Sequence, residues 1–427
     1  MKDKKKTELN KNFTKLTQKR GISLIVLIVT IIVIIILAAA VILTVGKNNP
    51  VESAKEATFK EDLRSFQDDL ALSISKDYTK KAGQRDNKFN ADKYTTGNKD
   101  DDSVYTYIPS FTKKYEGKFV IVNDELKYVG EEEKEVTWSK DLGVEKYVVV
   151  PESWKATIAE VTEDGVPIPK GFTYLTGTKE TGTVIKDSLD NEFVWIPATE
   201  ASYVKDLNFP NNCTPTGDDL PSNIADETAD VKKYGGFYIG RYEAGIPTGD
   251  TAPSNKTGKP VSKQGATVWT DINYDNAKAS AESMISNNDY VQTGLLTGKA
   301  WDTTCHWIED YITNLNADSS LTKSQYYGNY YNSTFKYINS SNEEVEKLVN
   351  SSKKIPAGRT EYTKTKNIYD LAGNVGEWTA EASSANRIGR GGVYYNNGGN
   401  NPVSYRSNFN PSGADDSAGF RSRLYIK

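Results

Sequence analysis

The first pattern along the chain is an unbroken apolar stretch near the amino terminus. Residues 22–45 contain only three polar side chains, Ser23, Thr30 and Thr44. At ~1.5 Å of rise per residue a helix of this length is roughly 36 Å long, and a bilayer core is ~30 Å thick. The stretch therefore predicts a transmembrane helix, and it is longer than the apolar part of an ordinary secretory signal.

A second periodic pattern follows in residues 46–79. Large apolar side chains recur there at spacings of 4, 3, 4 and 4, namely Phe59, Leu63, Phe66, Leu70 and Ile74. This spacing places them on one face of an amphipathic helix. The pattern predicts a stalk helix that continues beyond the membrane segment.

The remaining pattern is that of short strands. Residues 80–102 are polar and predict a loop. Short runs of Val, Ile, Tyr and Phe follow from Val104 to about Val150, and VNDEL at 122–126 predicts a hairpin turn. From residue 165 onwards aromatic strands bounded by glycines alternate to the end, and 323–352 predicts an exposed excursion. The predicted fold class is α+β, with a long N-terminal transmembrane and stalk helix, a small β-region at 80–164 and a domain at 165–427.

Charge is distributed unevenly along the chain. The formal net charge is -4, yet residues 1–20 carry eight basic and two acidic side chains. This basic leader, residues 1–21, predicts a cytoplasmic N-terminus and an extracellular C-terminal domain, with the lipid bilayer as a partner. The acidic remainder argues against binding of nucleic acid, which requires a basic face.

Residues for metal or nucleophilic chemistry are scarce. The chain has two cysteines, Cys213 and Cys305, and one histidine, His306. Tetrahedral zinc takes three or four such ligands, so a Cys/His zinc site is disfavoured, and a Ser-His-Asp triad would need His306. Whether the two cysteines pair stays open, because sequence does not show that they approach each other.

The junction Lys19-Arg20-Gly21, followed directly by the apolar stretch, resembles type IV prepilin signals. The resemblance implies a prepilin peptidase that cuts after Gly21, a methylated Ile22 and a helix that packs with other pilins. It also implies a pilin-like β-region at 80–164. Members of that class usually carry glutamate five residues after the cut, where this chain has Val26. The departure disfavours a major filament subunit and leaves a minor pilin, a pseudopilin or a plain single-pass anchor.

Four motifs carry a second resemblance: FYIGRYEAG at 237–245, NIYDLAGNVGEWTAE at 367–381, RGGVYY at 390–395 and AGFRSRL at 418–424. In this order they resemble the formylglycine-generating-enzyme/sulfatase-modifying-factor family, which implies a C-type lectin fold over 165–427. Catalytic members use a metal-binding cysteine pair after the RGG motif, whereas this chain has no cysteine after Cys305. The resemblance therefore implies a non-catalytic member without copper.

The GNVGEW motif combines turn and core positions. Its two glycines, Gly373 and Gly376, permit tight turns, and Trp378 is a predicted core anchor. Glu377 is predicted to pair with Arg390 or Arg421, because buried charges need partners.

The same motif is where the family binds calcium. The matching oxygen donors are Asn374, the carbonyl of Val375 and Glu377. Calcium takes six to eight oxygen ligands, so these three form an incomplete set. A turn held by a salt bridge is the alternative.

The segment 394–416 replaces the catalytic loop of the family with a sequence rich in Tyr and Asn. Tyrosine provides rigid contact area and Asn and Ser provide adaptable hydrogen bonds, a composition typical of binding loops. The predicted ligand-binding residues are Tyr394, Tyr395, Asn396, Asn397, Asn400, Asn401, Ser404, Tyr405, Ser407, Asn408, Asn410, Asp415 and Asp416. The segment also resembles the variable region of target proteins of diversity-generating retroelements, so a fixed, a diversified and a ligand-free loop all stay open.

These patterns together predict a surface-displayed protein, anchored in the membrane or associated with a pilus. The predicted mode of action is recognition of an extracellular protein or glycan by the segment 394–416. The alternative is a minor pilin or pseudopilin with a mainly structural role in assembly.

Overall fold

The computed structural model describes residues 50–80, 104–122, 124–221, 224–247 and 255–427. They belong to two compact units, which divide between Lys146 and Tyr147. The predicted leader at 1–21, the transmembrane helix at 22–45 and the cleavage site Gly21-Ile22 lie outside the described residues. None of the helices formed by the described residues is long and apolar enough to cross a bilayer.

The α-helices of the described residues are α1 Pro50–Lys80, α2 Val104–Tyr107, α3 Glu133–Lys140, α4 Glu227–Tyr234, α5 Tyr274–Ser283 and α6 Gly298–Thr313. Short 3-10 helices lie at Lys113–Tyr115, Glu152–Trp154, Ser324–Tyr326 and Glu361–Thr363.

The strands of the described residues are short. They are β1 Phe119–Val122, β2 Glu125–Tyr128, β3 Ile158–Val161, β4 Pro167–Pro169, β5 Phe172–Thr176, β6 Val184–Asp187, β7 Glu192–Pro197, β8 Gly217–Asp218, β9 Gly236–Gly240, β10 Val291–Leu295, β11 Phe335–Ile338, β12 Glu344–Lys347, β13 Lys364–Thr365, β14 Ile368–Tyr369, β15 Gly376–Ser383, β16 Asn386–Arg390, β17 Ser407–Phe409, β18 Ala418–Phe420 and β19 Ser422–Ile426.

The first unit is built on helix α1. The apolar face expected from the spacing is buried at Phe59, Leu63, Phe66 and Leu70 and partly buried at Ile74. This face packs into an aromatic cluster with the antiparallel hairpin of β1 and β2.

The turn of that hairpin lies where VNDEL predicts it, between Val122 and Glu125. Asp124 adopts a left-handed conformation with a φ of 74°, which Asp tolerates in tight turns. In contrast, Val104–Tyr107 is one turn of helix and Glu133–Lys140 is helical, in a region where the sequence indicated strands. The strand propensity of individual residues is a weak guide over such short segments, because packing against the aromatic cluster overrides it.

The second unit contains a six-stranded antiparallel sheet in the order β10-β19-β9-β7-β6-β5. Its central strands are continuously apolar, as expected where both faces are buried. Trp195 on β7 lies opposite Tyr238 on β9, with ring centroids 4.8 Å apart. Helix α6 packs against this core through Trp301, Cys305, Ile308 and Ile312, and Thr297 caps it by accepting a hydrogen bond from the Ala300 N–H.

A second sheet positions the candidate site. It has the order β17-β16-β15-β18, and β8 pairs with the far end of β15. Strands β15 and β16 form an antiparallel hairpin, whereas β15 and β18 run parallel. The GNVGEW, RGGVYY and AGFRSRL motifs are thereby brought to the same end of this sheet.

The boundary between the two units falls between Lys146 and Tyr147, before the boundary predicted at residue 165. Val150 and the hairpin of β3 and β4, through Ile158, Val161, Val166 and Ile168, contribute to a buried cluster that also contains side chains of β7, β9 and β19. Residues 147–164 therefore belong with the second unit because their apolar side chains complete its core.

Candidate functional site

A cavity of about 400 Å³ opens on one face of the second sheet, and we call it the loop pocket. Its floor is formed by β15–β17 and its rim by the segments between β16 and β18. Its lining comprises Asn212, Gly376, Trp378, Arg390, Gly392, Val393, Tyr395, Asn396, Asn401, Ser407, Asn408, Phe409, Asn410, Gly413, Asp415, Ser417 and Ala418.

Two glycines create the aromatic floor of the loop pocket. A Cβ atom at Gly389 would overlap the Phe409 ring, and one at Gly376 would lie 2.8 Å from it. The ring therefore lies against bare backbone, and it packs edge-to-face with the Trp378 indole, with ring centroids 5.1 Å apart. Trp378 is fixed in turn, because its indole N–H donates to the Ile272 carbonyl at 2.9 Å.

The rim of the loop pocket is mostly amide and hydroxyl. Seven of the residues predicted to bind ligand line it: Tyr395, Asn396, Asn401, Ser407, Asn408, Asn410 and Asp415. Within the part of the chain that the structure describes, no hydrogen bond engages the side chains of Asn401, Ser407 and Asn408. These side chains are available to a ligand.

Asn212 is a rim residue that sequence reasoning missed. It is far from the loop in sequence, and its side-chain oxygen accepts a hydrogen bond from the Asn408 N–H at 2.9 Å. The backbone around Asn212 pairs with the backbone at Arg406, because the Asn212 N–H donates to the Arg406 carbonyl at 3.2 Å. No periodicity in the sequence marks Asn212, because its position depends on this long-range pairing.

The other predicted residues lie outside the lining of the loop pocket. Tyr394, Asn397, Asn400, Tyr405 and Asp416 are partly or fully exposed on the same segment. Ser404 is completely buried and donates its hydroxyl to the Leu321 carbonyl at 2.7 Å, so it supports the segment and does not face a ligand.

The rim carries one carboxylate at its open edge. Ser417 donates both its hydroxyl and its backbone N–H to Asp415, and these bonds lower the pKa of the Asp415 carboxyl. Asp415 is therefore anionic at neutral pH. Beside it, burial and the neighbouring Asp416 raise the pKa of Tyr394, whose hydroxyl donates to Asp416 at 3.4 Å.

A buried charge network lies behind the sheet of the loop pocket. Arg390 donates to Asp302 at 2.6 Å and lies 3.4 Å from Glu381. Arg406 bonds to the same two carboxylates, and its Nη1 donates to the Asp206 carbonyl at 2.8 Å. The network joins α6, β15 and β16 to the segment that leads into β17, so it fixes the frame that carries the rim.

Glu377 pairs with Arg421, the second of the two partners predicted for it. The guanidinium donates from Nε at 3.1 Å and from Nη2 at 2.7 Å, and both residues are buried. Arg390 instead belongs to the network with Asp302 and Glu381.

Two of the three predicted calcium donors, Asn374 and Glu377, are already engaged by protein groups, and the third donor residue, Val375, is completely buried. The Asn374 side-chain oxygen accepts from Asn329 and from the Ile355 N–H, each at 2.9 Å. Glu377 is neutralised by Arg421, and Asn374 donates to Glu243 at 2.6 Å. A cation at these donors would have to displace Arg421, so the arrangement fits a salt-bridged turn better than calcium. Among the described residues no group of three or more Asp, Glu, His or Cys is arranged to hold a metal ion.

The two cysteines are free thiols, and neither lines the loop pocket. Cys305 is completely buried on α6, and burial raises the pKa of its thiol. Burial also raises the pKa of Cys213. The only histidine, His306, lies 3.2 Å from Asp206 and packs against Phe209, also outside the pocket lining.

The fold and the pocket define a mixed α/β domain that presents a polar, loop-built site over an aromatic floor. The chain belongs to the sulfatase-modifying factor enzyme 1-like domain family, whose model matches residues 117–423. This membership confirms the second resemblance seen in the sequence and the C-type-lectin-like fold that it implies.

Three solved structures are similar at low identity. The variable protein 1 of Treponema denticola is 13% identical, and the match covers 60% of this chain and 99% of that protein with a TM-score of 0.31. CarF is 15% identical over 50% of this chain and 97% of its own, with a TM-score of 0.27. PvdO from Pseudomonas aeruginosa is 17% identical over 59% and 98%, with a TM-score of 0.27. No curated protein matches this chain.

Proposed function

We propose that this protein is displayed on the cell surface and binds a ligand through the loop pocket. The observation that carries the proposal is the pocket itself: an asparagine-rich rim, which includes Tyr395 and the unengaged amide and hydroxyl groups of Asn401, Asn408 and Ser407, surrounds a floor of Phe409 and Trp378. Concave sites of this kind combine apolar contact with a few polar groups that orient a ligand. The ligand is a protein or a glycan on another surface.

We propose that the protein acts by binding and does not catalyse a reaction. The catalytic chemistry implied by the family resemblance needs a reactive cysteine pair, and neither thiol of this chain fits that task. A reactive thiol requires a lowered pKa and access, whereas burial raises the pKa of both Cys213 and Cys305. The pocket provides binding groups, of which Asp415 is the one carboxylate in its lining.

A binding screen tests this proposal. The full-length chain is probed against a glycan array and a panel of purified extracellular proteins, and each hit is repeated with Tyr395→Ala and Asn408→Ala. Loss of a rigid aromatic or hydrogen-bonding contact at the rim is expected to weaken binding about tenfold or more. Asn400→Ala is the matched control, because Asn400 is exposed on the same segment but does not line the pocket. Hits that bind all three variants equally would contradict the proposal.

The proposed display on the cell surface is based on the N-terminal sequence. We propose that residues 22–45 anchor the chain in the membrane and that a prepilin peptidase cleaves it between Gly21 and Ile22. The minor pilin or pseudopilin with a structural role stays the second candidate, favoured by the Lys-Arg-Gly junction before the apolar stretch. Diversification of the segment 394–416 and calcium binding stay predictions.

A further inference from the structure

We propose that the ligand is a protein and that the loop pocket forms only half of its docking surface. The other half is a patch of exposed apolar side chains, Tyr331, Leu348 and Val349, which we call the hairpin patch. The inference rests on the proposed function, since it specifies the class of ligand at the same site.

The hairpin patch is continuous with the rim of the loop pocket. The Tyr331 N–H donates to the carbonyl of Asn396, a rim residue, at 2.9 Å. On its other side the Asn350 N–H donates to the Tyr331 carbonyl at 2.8 Å. The next residue, Asn332, accepts from the Gly398 N–H at 2.9 Å. The chain around Tyr331 is thus bonded both to the pocket segment and to the residues after β12.

The hairpin patch is also held rigidly from below. Leu348 and Val349 directly follow the buried Lys347, whose ammonium donates to the carbonyls of Tyr330 and Ser333. The Val349 N–H donates to the Thr334 hydroxyl at 3.1 Å. A surface that is already ordered loses little conformational entropy when a partner binds.

The composition of the hairpin patch favours a protein over a glycan. Leu348 is 57% exposed and Val349 is 53% exposed, and Tyr331 and Tyr395 are 39% and 49% exposed. Aliphatic side chains cannot satisfy the hydroxyl groups of a sugar, because burying an unpaired hydroxyl costs free energy. They are instead suited to the apolar core of a protein interface, with a polar rim around it.

The carboxylates on the loop-pocket side of the docking surface indicate what else the partner carries. Among the described residues no ion pair involves Asp415 or Asp416, although both are exposed. The nearby Lys354 is engaged, since it donates to the Thr270 hydroxyl and to the backbone carbonyl of Asp416. Lys353 lies over the Tyr337 ring at 5.5 Å. The partner is therefore a polypeptide segment with an apolar side chain next to a lysine or arginine.

A random peptide library displayed on phage tests this inference. The library is selected on the full-length chain, and the recovered peptides are measured on the variant Leu348→Ser/Val349→Ser. We expect enriched sequences that combine an apolar residue with Lys or Arg and bind this variant about tenfold or more weakly. Leu189→Ser is the matched control, because Leu189 is 59% exposed on the turn between β6 and β7. All three positions are exposed, so these changes leave the core intact.

The outcomes separate this inference from the proposed function. Peptides that lose affinity for Asn408→Ala but not for the hairpin-patch variant overturn the hairpin patch and support the loop pocket. A glycan that binds in a pocket-dependent way, with no peptide enriched, overturns the protein class of ligand and leaves the proposed function standing. Peptides that bind every variant equally contradict both.

Discussion

At the scale of single residues, the buried charges behind the loop pocket contribute most to its geometry. Asp302 and Glu381 each contact both Arg390 and Arg406, and Lys205 adds a contact to Glu381 at 3.2 Å. A buried charge is tolerated only when its partners are in place, and a buried ion pair is weak evidence of net stabilisation. Such a network is nevertheless costly to break, because removing one member leaves buried charge that the remaining members compensate only in part.

The change Arg406→Met tests this dependence. It removes a partner from both carboxylates and from the Asp206 carbonyl, so the free energy of unfolding is expected to fall by about 3–5 kcal/mol. Urea denaturation followed by tryptophan fluorescence measures the change. Lys336→Met is the control, since it breaks an ion pair with Glu344 in which both side chains are exposed and which should contribute little to stability. Equal effects of the two changes would show that the network is not structurally important.

Lys347 provides a prediction about pH. It is buried and no carboxylate of the described residues pairs with it, and burial lowers the pKa of its ammonium from 10.5 to about 8. Between these two values the unfolded chain binds more protons than the folded chain, so the free energy of unfolding rises with pH. The cost of burying the charged amine is fully present below the lower value and is relieved as pH approaches the upper one.

Comparison with Lys347→Met isolates this effect from all other titrating groups. The difference in unfolding free energy between the original chain and Lys347→Met should shift in favour of the original chain as pH rises from about 8 to 10.5. Denaturant midpoints measured at a series of pH values provide the test. Parallel curves would mean that Lys347 keeps its ordinary pKa in the folded protein.

At the scale of elements, the floor of the loop pocket depends on three strands staying in register. Trp378 on β15 lies opposite Gly389 on β16, and Arg387 on β16 lies opposite Phe409 on β17. Only a glycine at position 389 leaves room for the Phe409 ring between the strands. The apolar floor is therefore a property of the strand pairing and not of any one aromatic residue.

The change Gly389→Ala should displace the Phe409 ring and distort the floor. Overpacking of this kind typically costs 1–3 kcal/mol, and ligand binding should weaken with it. In Gly389→Ala/Phe409→Ala the added methyl group has space, so the double variant should be destabilised by less than the sum of the single changes. Denaturation of all four proteins measures this coupling. Additive effects would indicate that the two side chains do not compete for the same space.

Local patterns in the sequence were sufficient to predict some features of the fold and of the pocket rim. The spacing of Phe59, Leu63 and Phe66 indicates the buried face of α1, and VNDEL indicates the turn between β1 and β2. The position of the segment 394–416 between the RGGVYY and AGFRSRL motifs, together with its composition, pointed to the side chains that form much of the pocket rim. These signals are local, because they depend on residues that are neighbours in the chain.

Features that depend on tertiary pairing could not be predicted in this way. Asn212 reaches the rim through a bridge between its segment and Arg406, and Asp302 joins the charge network from α6. The sequence could not choose between Arg390 and Arg421 as the partner of Glu377, because both lie in motifs that converge on the same sheet. Ser404 shares the composition of the binding segment yet is buried, since composition does not reveal which side of a loop faces solvent.

At the scale of the whole molecule, the division into two units leads to a prediction about fragments. Residues 147–427 contain every member of the buried cluster that includes β3, β4, β7 and β19. A fragment of residues 147–427 should therefore fold cooperatively and keep the loop pocket.

A fragment of residues 165–427, which starts at the boundary predicted from the sequence, lacks Val150, Ile158 and Val161. Loss of buried aliphatic side chains costs several kcal/mol, so this shorter fragment should be less stable. Equal denaturant midpoints of the two fragments would contradict the assignment of residues 147–164 to the second unit.

The N-terminus of the mature protein distinguishes a pilin-like protein from a plain membrane anchor. Intact-mass spectrometry of the protein purified from its native membrane identifies this N-terminus. If a prepilin peptidase processes the chain, the mature protein should begin at a methylated Ile22. The variant Gly21→Leu should then keep residues 1–21, because the resemblance assigns the cut to that glycine. A chain that begins at Met1 with or without this change would leave a plain single-pass anchor and remove the pilin-like role. The loop pocket would be unaffected by that outcome, because all of its lining residues lie between Asn212 and Ala418. The proposed ligand binding and the proposed anchoring can therefore be tested independently of each other.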